Sequence, residues 1–511
     1  MYAEVLLPVK LAWLPTYRSS TDLHRGQRVN VKLSGRDYVG VVTRTGVTPN
    51  CDPSKLQDIE GPAEGFPDIS ERELDFWQFI SDYYLCSLGE VYKAAYPGGT
   101  VKSEAVSARR RRKRAGAEPE GAVSVNSTQT LFPTLEVGKP LLLVAGGRRT
   151  TYANAIRECL EEGRQVLLLS PDHILSDRLA DFLEETFGDT LKTYNTRMTP
   201  ARRQGVTDAV RKPGPILVMG TRCAVFLPFS DLGLVVIDEE QDRTYKQDSP
   251  APRYNARDCA IMLAKIHGAK VLLGTSCPSL ESELNAASGK YAILRDTGTA
   301  QGTATAEIID VTAEKRKRGM NGNFSRKLLE AIGEVSGPIA LIRGWEKPDA
   351  LEEEIGRLLP GRDVTVLSET EARRKDLGAF DLVGVLQIDA LSVSRSDVAK
   401  ASRKTADFTA LRADFRADEH LIRLVSELSS RSRRLVIQTA SPGRLTRSVK
   451  DLLEERRRFG FPPYTRIVDF RDRSGNIVRR TFLKRGPSLS AEKARLLSEL
   501  PPGCTVDVDP E

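Results

Sequence analysis

Residues 234–242 read LVVIDEEQD, a run of apolar residues followed by a run rich in acids. This pattern predicts a strand that is buried on both faces and delivers Asp238 and Glu239 at its carboxyl end. In a nucleotide-hydrolysing sheet, a magnesium-binding aspartate and a water-polarising acid occupy that position. Acidic strand ends are also common in other α/β proteins, so the surrounding segments decide what this one means.

Apolar segments alternate with helical segments on both sides of this strand. From Pro140 the strands include PLLLVAGG, VLLLS, PILVMG and KVLLGTS, and a second block with the same alternation runs from Gly337 to about Arg458. Alternation of this kind predicts two tandem α/β lobes, each with a mostly parallel sheet covered by helices. A small β-rich module with the strands RVNVKL and YVGVVT is expected before them, and a small α+β domain after them.

Composition narrows the class of protein. The chain has 511 residues, 40% of them hydrophobic, and no apolar run approaches the roughly eighteen residues of a membrane span. Pro8 and Lys10 interrupt the stretch where a signal peptide would be apolar, so we expect a cytoplasmic protein without a membrane partner. The seven cysteines include no C-x-x-C pair, and the four histidines have no metal-type spacing, so we expect neither a disulfide framework nor a metal site.

Positive charge is concentrated near the carboxyl end. Residues 401–500 contain 23 Lys and Arg against 12 Asp and Glu, whereas the whole chain has a net charge of +7. A local positive surface suits a phosphate backbone, although a solvated helix face would have the same composition. The densest clusters are the run Arg109–Arg114 in a segment of linker composition and the trio Arg456, Arg457 and Arg458.

Several longer segments carry a family resemblance. Residues 220–260 include GTRCAVF, IDEEQD, YKQ and RYNARD, and residues 272–282 read LLGTSCPSLES. Further segments are DYYLCSLGEVYKAAYPGG near the N-terminus, ADFRADEHLIRLVSEL at 413–428, LLEERRRFGFPPYTRI at 452–467 and VDVDP at 506–510. In these segments and in their order, the chain resembles the PriA family of bacterial replication-restart DNA helicases.

The resemblance implies a domain plan with two helicase-type, RecA-like lobes. It predicts a 3′-DNA-end-binding-like domain at 1–102, a basic and polar linker at 103–138, helicase lobes at 139–300 and 301–458, and a C-terminal domain at 459–511. Thr16 and Tyr17 would lie near the pocket for the DNA end. A loop that senses single-stranded DNA would contain Tyr245, Lys246, Arg253, Tyr254 and Arg257, although the tyrosines would equally suit core packing.

The phosphate-binding loop departs from the family pattern. A Walker A loop needs glycines, a lysine and a Ser or Thr, whereas residues 141–152 read LLLVAGGRRTTY. In this alignment Gly146, Gly147, Arg149 and Thr150 would hold ATP and magnesium, and Arg148 replaces a glycine that lets the backbone approach the phosphates. Since an arginine fork does not substitute for a compact ammonium group, we expect weak nucleotide binding.

Two further departures concern the second lobe. The family's arginine motif is represented by ELSSRSRR, in which Arg431 and Arg434 would stabilise charge on a transferred phosphoryl group if ATP were bound. The zinc module is missing between PIALI at 338–342 and EKPDALEEEIGRLLP at 346–360, so we expect no zinc.

These observations predict a DNA-binding protein of replication restart that recognises forked or single-stranded DNA, with primosome proteins as possible partners and with weak or lost ATPase activity. The alternative is an active 3′→5′ ATP-dependent helicase in which Arg149 and Thr150 still hold nucleotide. A third reading is a decaying copy without a retained role.

Overall fold

A computed structural model describes residues 1–49, 52–97, 134–145, 147–171, 178–295, 305–317, 319–391, 415–486, 489–500 and 503–510. The basic run Arg109–Arg114, the predicted nucleotide ligand Gly146 and most of the predicted linker lie outside these residues.

The N-terminal module is a five-stranded antiparallel sheet with the order β2-β1-β4-β3-β5. Its strands are β1 Tyr2–Leu6, β2 Thr16–Arg18, β3 Arg28–Leu33, β4 Arg36–Thr45 and β5 Gly61–Pro62. Helices Glu71–Tyr84 and Leu88–Ala95 follow, and each begins at a serine capping box. The first helix joins the module to the next lobe, since the ring of Phe76 lies 6.1 Å from that of Phe226.

The first lobe is a seven-stranded parallel sheet with the order β12-β6-β11-β10-β7-β9-β8. Its strands are β6 Leu141–Val144, β7 Gln165–Leu169, β8 Leu191–Tyr194, β9 Ile216–Gly220, β10 Leu232–Asp238, β11 Lys270–Thr275 and β12 Ala292–Arg295. Its helices are Arg149–Glu161, Arg178–Phe187, Pro200–Val210, Ala256–His267 and Leu280–Ala287. Strand β10 lies in the middle and is buried along its whole length, as its apolar sequence predicts.

The second lobe is a five-stranded parallel sheet with the order β13-β19-β18-β16-β17. Its strands are β13 Glu307–Asp310, β16 Ile339–Ile342, β17 Val364–Leu367, β18 Leu382–Val385 and β19 Leu435–Thr439, and a separate hairpin pairs β14 Met320–Asn321 with β15 Phe324–Ser325. Its helices are Val311–Arg316, Arg326–Gly333, Pro348–Leu358, Glu369–Arg374, Ile388–Leu391, Ala417–Arg431, Pro442–Leu445 and Val449–Phe459.

The last described segment is a three-stranded antiparallel sheet with the order β21-β20-β22. It consists of β20 Thr465–Arg471, β21 Ile477–Lys484, β22 Thr505–Val508 and the helix Leu489–Ser498. Short 3₁₀ turns occur at Pro53–Lys55, Gly188–Thr190, Arg222–Phe226, Arg243–Tyr245 and Leu377–Ala379. The predicted α/β class with two parallel-sheet lobes and a small antiparallel N-terminal module is thereby confirmed. Within the described ranges, no helix combines the length and apolar character needed to cross a membrane.

Candidate functional site

The acidic end of β10 lies at the carboxyl edge of the first sheet, as predicted. Asp238 is the last residue of the strand, pairs in register with Gly274 of β11 and is only 6% exposed. Glu239 follows with a φ of 47°, which is uncommon for a residue with a side chain. Strain of this kind is tolerated where contacts of the side chain hold the backbone in place.

The side chain of Arg148 provides those contacts. It is buried, and its Nη2 lies 3.0 Å from Asp238 Oδ1 and also donates to Glu239 Oε1. Its Nε lies 3.2 Å from the same Asp238 oxygen, and its Nη1 donates to the carbonyl of Ala145 at 2.6 Å. One guanidinium group therefore binds both acidic residues and the backbone of the loop that precedes it.

Tyr152 completes this cluster from one helical turn further along. Its hydroxyl donates to Asp238 Oδ1 at 2.7 Å and accepts from Arg148 Nε at 3.0 Å. A Cβ added to Gly274 would lie 1.6 Å from that hydroxyl, so the glycine in β11 makes room for the tyrosine. Tyr152 and Arg148 thus satisfy the buried carboxylate of Asp238 from two sides.

The surroundings of Arg148 favour its charged form. Burial opposes the positive charge, but Glu239, Tyr152 and Asp238 outweigh it and hold the pKa of Arg148 above its ordinary value. Burial and the neighbouring Asp238 raise the pKa of Tyr152, so its hydroxyl remains a neutral donor. The arrangement is a buried ion cluster with one cation between two acids.

This arrangement does not fit ATP with magnesium. A magnesium ion would need oxygens of Asp238 and Glu239, and the Arg148 guanidinium already binds both side chains. The helix Arg149–Glu161 begins directly after Arg148 without a side-chain cap, so the misfit lies at the two acids and not at this helix end, which would favour an anion. Of the other predicted ligands, Gly147, Arg149 and Thr150 are exposed.

Gln241 connects the acidic strand end to the neighbouring strand. Its amide Nε2 donates to Glu239 Oε2 at 2.7 Å, and its Oε1 accepts from the Thr275 hydroxyl at 2.6 Å. Glu240 points elsewhere, since its carboxylate accepts from the Ser279 backbone N–H at 2.7 Å and pairs with Arg257 at 3.1 Å. Thr275, Ser279 and Arg257 of the first lobe therefore hold the side chains of Gln241 and Glu240.

The predicted arginines of the second lobe do not reach the acidic cluster. Arg431 donates to the backbone carbonyls of Ala372, Arg373 and Lys375, at the end of the helix Glu369–Arg374. Arg434 pairs with Glu334 at 2.9 Å and with Glu307 at 3.3 Å. Both have structural partners within the second lobe.

Two other arginines of the second lobe approach the cluster instead. Arg373 Nη1 lies 3.5 Å from Asp242 Oδ2, and Arg423 Nη1 donates to the Gln241 carbonyl at 3.3 Å. The lobes are thus joined directly beside the acidic strand end. Nothing in the sequence singled out these two residues, because their position depends on how the lobes face each other.

The predicted loop for single-stranded DNA is packed against other parts of the chain. Tyr245 and Tyr254 are buried, and their hydroxyls donate to backbone carbonyls. Lys246 pairs with Asp507 at 3.0 Å, and Arg253 Nη1 donates to the Val506 carbonyl at 2.9 Å in β22. The two tyrosines are therefore core residues, which agrees with the alternative interpretation of the sequence.

The other predicted DNA-binding residues occupy different surroundings. Tyr17 is buried, and its hydroxyl donates to the Lys32 carbonyl at 2.8 Å, whereas Thr16 beside it is partly exposed. Arg457 and Arg458 are exposed. Arg456 is buried and pairs with Glu419 at 3.0 Å, so it is not placed to meet a phosphate group.

Sequence reasoning missed the role of Arg148 and Tyr152. Arg148 was interpreted only as a bulky replacement in the loop, and Tyr152 was not singled out. A signal was present, because a cation four residues before a tyrosine in the first turns of a helix places both on one face. Over the described ranges, no cluster of histidine, cysteine or acidic residues could hold a metal ion.

Comparisons with known proteins agree on one family. Residues 4–97 match the 3′ DNA-binding domain family of PriA. The replication restart protein PriA of Rickettsia prowazekii is 30% identical over 337 residues, which are 65% of this chain and 51% of that protein. That of Helicobacter pylori strain 26695 is 27% identical over 346 residues, with 66% and 51% covered. The chain spans about half the length of the curated relatives it matches.

Among solved structures, RecG bound to a three-way DNA junction is similar over 64% of this chain and 42% of that protein, with 13% identity and a TM-score of 0.37.

Proposed function

We propose that the chain is a PriA-type protein and that it recognises forked or single-stranded DNA in replication restart without using ATP to separate strands. The match at residues 4–97 supports binding of a DNA 3′ end, and the relatives named for replication restart support the process. Primosome proteins are the expected partners, and the cytoplasm is the expected location.

The contact of Arg148 with Asp238 and Glu239 carries the ATP-independent part of this proposal. In nucleotide-hydrolysing sheets, such acids act through a magnesium ion and a positioned water. Here Asp238 and Glu239 bind the Arg148 guanidinium, which is part of the chain and cannot dissociate as a product does. Arg373 and Arg423 contact residues 241–242 directly, so side chains of the chain itself hold the two lobes together beside the acidic strand end.

The second candidate function is an active 3′→5′ ATP-dependent helicase. The position of Asp238 and Glu239 at the end of β10 and the Gln241 link to Thr275 favour it, since an active site could use these same groups. It requires the Arg148 side chain to leave both carboxylates when nucleotide arrives.

One experiment separates these functions. Fluorescence anisotropy of a labelled fork with an unpaired 3′ arm should give the same affinity with and without ATP and magnesium, and a strand-displacement assay should show no product. Hydrolysis that the fork stimulates and that Asp238→Asn abolishes would establish the helicase instead. Absence of any binding to forked or single-stranded DNA would overturn both.

A further inference from the structure

The edge strand of the C-terminal sheet exposes an unusual mixture of side chains. Arg480, Phe482 and Lys484 alternate along β21 and so share one face of the strand, and Val478 lies at the β-bulge that precedes them. Val478 is 58% exposed and Phe482 is 41% exposed, although large apolar side chains usually avoid water. Arg480 is fixed on this face by Asp469, with distances of 2.7 and 2.8 Å.

Phe482 belongs to a chain of aromatic rings, which we call the phenylalanine cluster: Phe415, Phe459, Phe461 and Phe482. The rings of Phe461 and Phe482 lie 5.7 Å apart, and those of Phe459 and Phe461 lie 6.3 Å apart. Phe415 stacks on Phe461 at 4.8 Å with an angle of 14° between the rings. The cluster joins the second lobe, the end of helix Val449–Phe459 and the C-terminal sheet.

Buried residues pack against the phenylalanine cluster. Arg456 lies 4.4 Å from the ring centre of Phe415 and donates to the Pro462 carbonyl at 3.1 Å. Ile467 of β20 is the cross-strand partner of Phe482, so it lies beside Phe482 on the same face of the sheet, and it is fully buried. The exposed rings are therefore supported by packed residues. Phe459 has the largest exposed fraction of the cluster, 59%.

Two arginines lie close to rings of the phenylalanine cluster. The guanidinium of Arg458 lies 5.5 Å from the ring centre of Phe459, and that of Arg416 lies 4.8 Å from Phe415. Arg457 and Lys484 are also exposed, and they lie two residues from Phe459 and Phe482 in the sequence. Exposed rings interleaved with cations can stack on bases while nearby charges attract phosphates.

We propose that the phenylalanine cluster is a base-stacking platform for single-stranded nucleic acid, formed by Phe459 and Phe482 on the support of Phe461. The proposal rests on the proposed DNA binding and names where an unpaired strand would contact the chain. Nucleic acid is the occupant to which we commit, because cations beside aromatic rings complement the phosphates that lie between its successive bases. Here the cations lie beside the rings themselves.

The test compares two oligomers of equal length and charge on the full chain. One is a thymidine oligomer, and the other has abasic sugars in place of the nucleotides. The wild-type chain should bind the thymidine oligomer more tightly, because only it has bases to stack. Phe459→Ala with Phe482→Ala should weaken binding to the thymidine oligomer about tenfold or more and leave binding to the abasic oligomer unchanged.

Two controls keep the result specific. Phe459→Trp should retain the preference for bases, since it keeps an aromatic face. Trp345→Ala removes a ring of similar exposure, 37%, from another part of the second lobe, and it should leave the preference for bases unchanged. Circular dichroism of each variant checks that it is folded.

The outcomes distinguish this inference from the proposed function. If the double variant keeps the wild-type preference for bases, or if the wild type has none, the platform is refuted although DNA binding stands. If the wild type binds neither oligomer nor a fork, the proposed function fails together with the platform. A preference for bases that the double variant alone loses supports both.

Discussion

Nη2 of Arg148 lies 3.0 Å from Asp238 Oδ1 and also contacts Glu239, so a side chain from the loop after β6 binds both acids at the end of β10. Removing one partner of a buried ion cluster usually costs more than the cluster contributes, because the remaining charges stay buried without compensation. The first two predictions rest on this contact between Arg148 and the two acids.

The first prediction is that nucleotide binding is weak. Arg148 competes with magnesium for both carboxylates, and the exposed Arg149 and Thr150 do not form an enclosed cradle. Titration of labelled ATP with magnesium should therefore show no saturation up to millimolar nucleotide. Tight and saturable binding would contradict the prediction and favour the helicase.

The second prediction concerns Arg148→Met. We expect the free energy of unfolding to fall by about 3–5 kcal/mol, because the buried Asp238 and the partly buried Glu239 lose their cation. Urea unfolding measures the effect. Magnesium should raise the stability of this variant and not that of the wild type, since it can then reach Asp238 and Glu239.

The matched control is Arg149→Met, the next residue, whose side chain is exposed. It should change the stability by no more than about 0.5 kcal/mol. Adding Asp238→Asn to Arg148→Met should cost less than the sum of the two single changes, because the residues interact directly. Additive effects would mean that the contact does not contribute to stability.

The sequence predicts features that depend on neighbouring residues better than contacts between residues far apart in the chain. The apolar run before Asp238 predicts β10 and its acidic end, because burial on both faces leaves a local signature. The partner of Asp238 is not visible in the same way, since Arg148 lies 90 residues away and reaches it only through the strand order. For the same reason the charge count did not separate the buried Arg456 from the exposed Arg457 and Arg458.

The third prediction is that stability falls as the pH drops below about 6.5. Burial and the neighbouring Arg243, Arg423, Arg416 and Arg456 lower the pKa of His420 from 6.5 to about 2. The unfolded chain therefore binds a proton between these pH values and the folded chain does not, so stability rises with pH across this window. The slope for one such group is about 1.4 kcal/mol per pH unit.

His420→Gln removes this titration and should flatten the dependence of the unfolding free energy on pH between 6.5 and 4. His267, whose pKa burial lowers to about 4, provides a second contribution that remains in the variant. Urea unfolding at several pH values measures both. An unchanged slope in His420→Gln would show that His420 already binds a proton in the folded chain.

The fourth prediction is that chelators leave stability and DNA binding unchanged. No C-x-x-C pair occurs in the sequence, and the described residues contain no group of metal-type ligands. Thermal unfolding and fork binding with and without EDTA test this, with elemental analysis of the purified chain as the control. Stoichiometric zinc would contradict it.

The last prediction concerns the arginines at the end of helix Val449–Phe459, which differ in burial. Arg457 and Arg458 are exposed, whereas Arg456 is bound to Glu419 and to the Phe415 carbonyl. Replacing both exposed arginines by glutamine should weaken DNA binding irrespective of sequence. Each lost phosphate contact lowers the slope of log affinity against log salt by about 0.7 on single strands and about 0.9 on duplex.

The double variant should therefore lose about 1.4 to 1.8 from the salt slope without losing stability. Arg456→Gln should do the reverse, because it removes one of the two arginines that bind the buried Glu419, the other being Arg423, and destabilises the chain by about 1–3 kcal/mol. Fork binding between 50 and 200 mM salt, together with urea unfolding, separates the two effects. If Arg457→Gln with Arg458→Gln keeps the wild-type affinity and slope, these arginines form a solvated helix face. The phosphate-binding surface must then be sought in the N-terminal module or in the Arg109–Arg114 run.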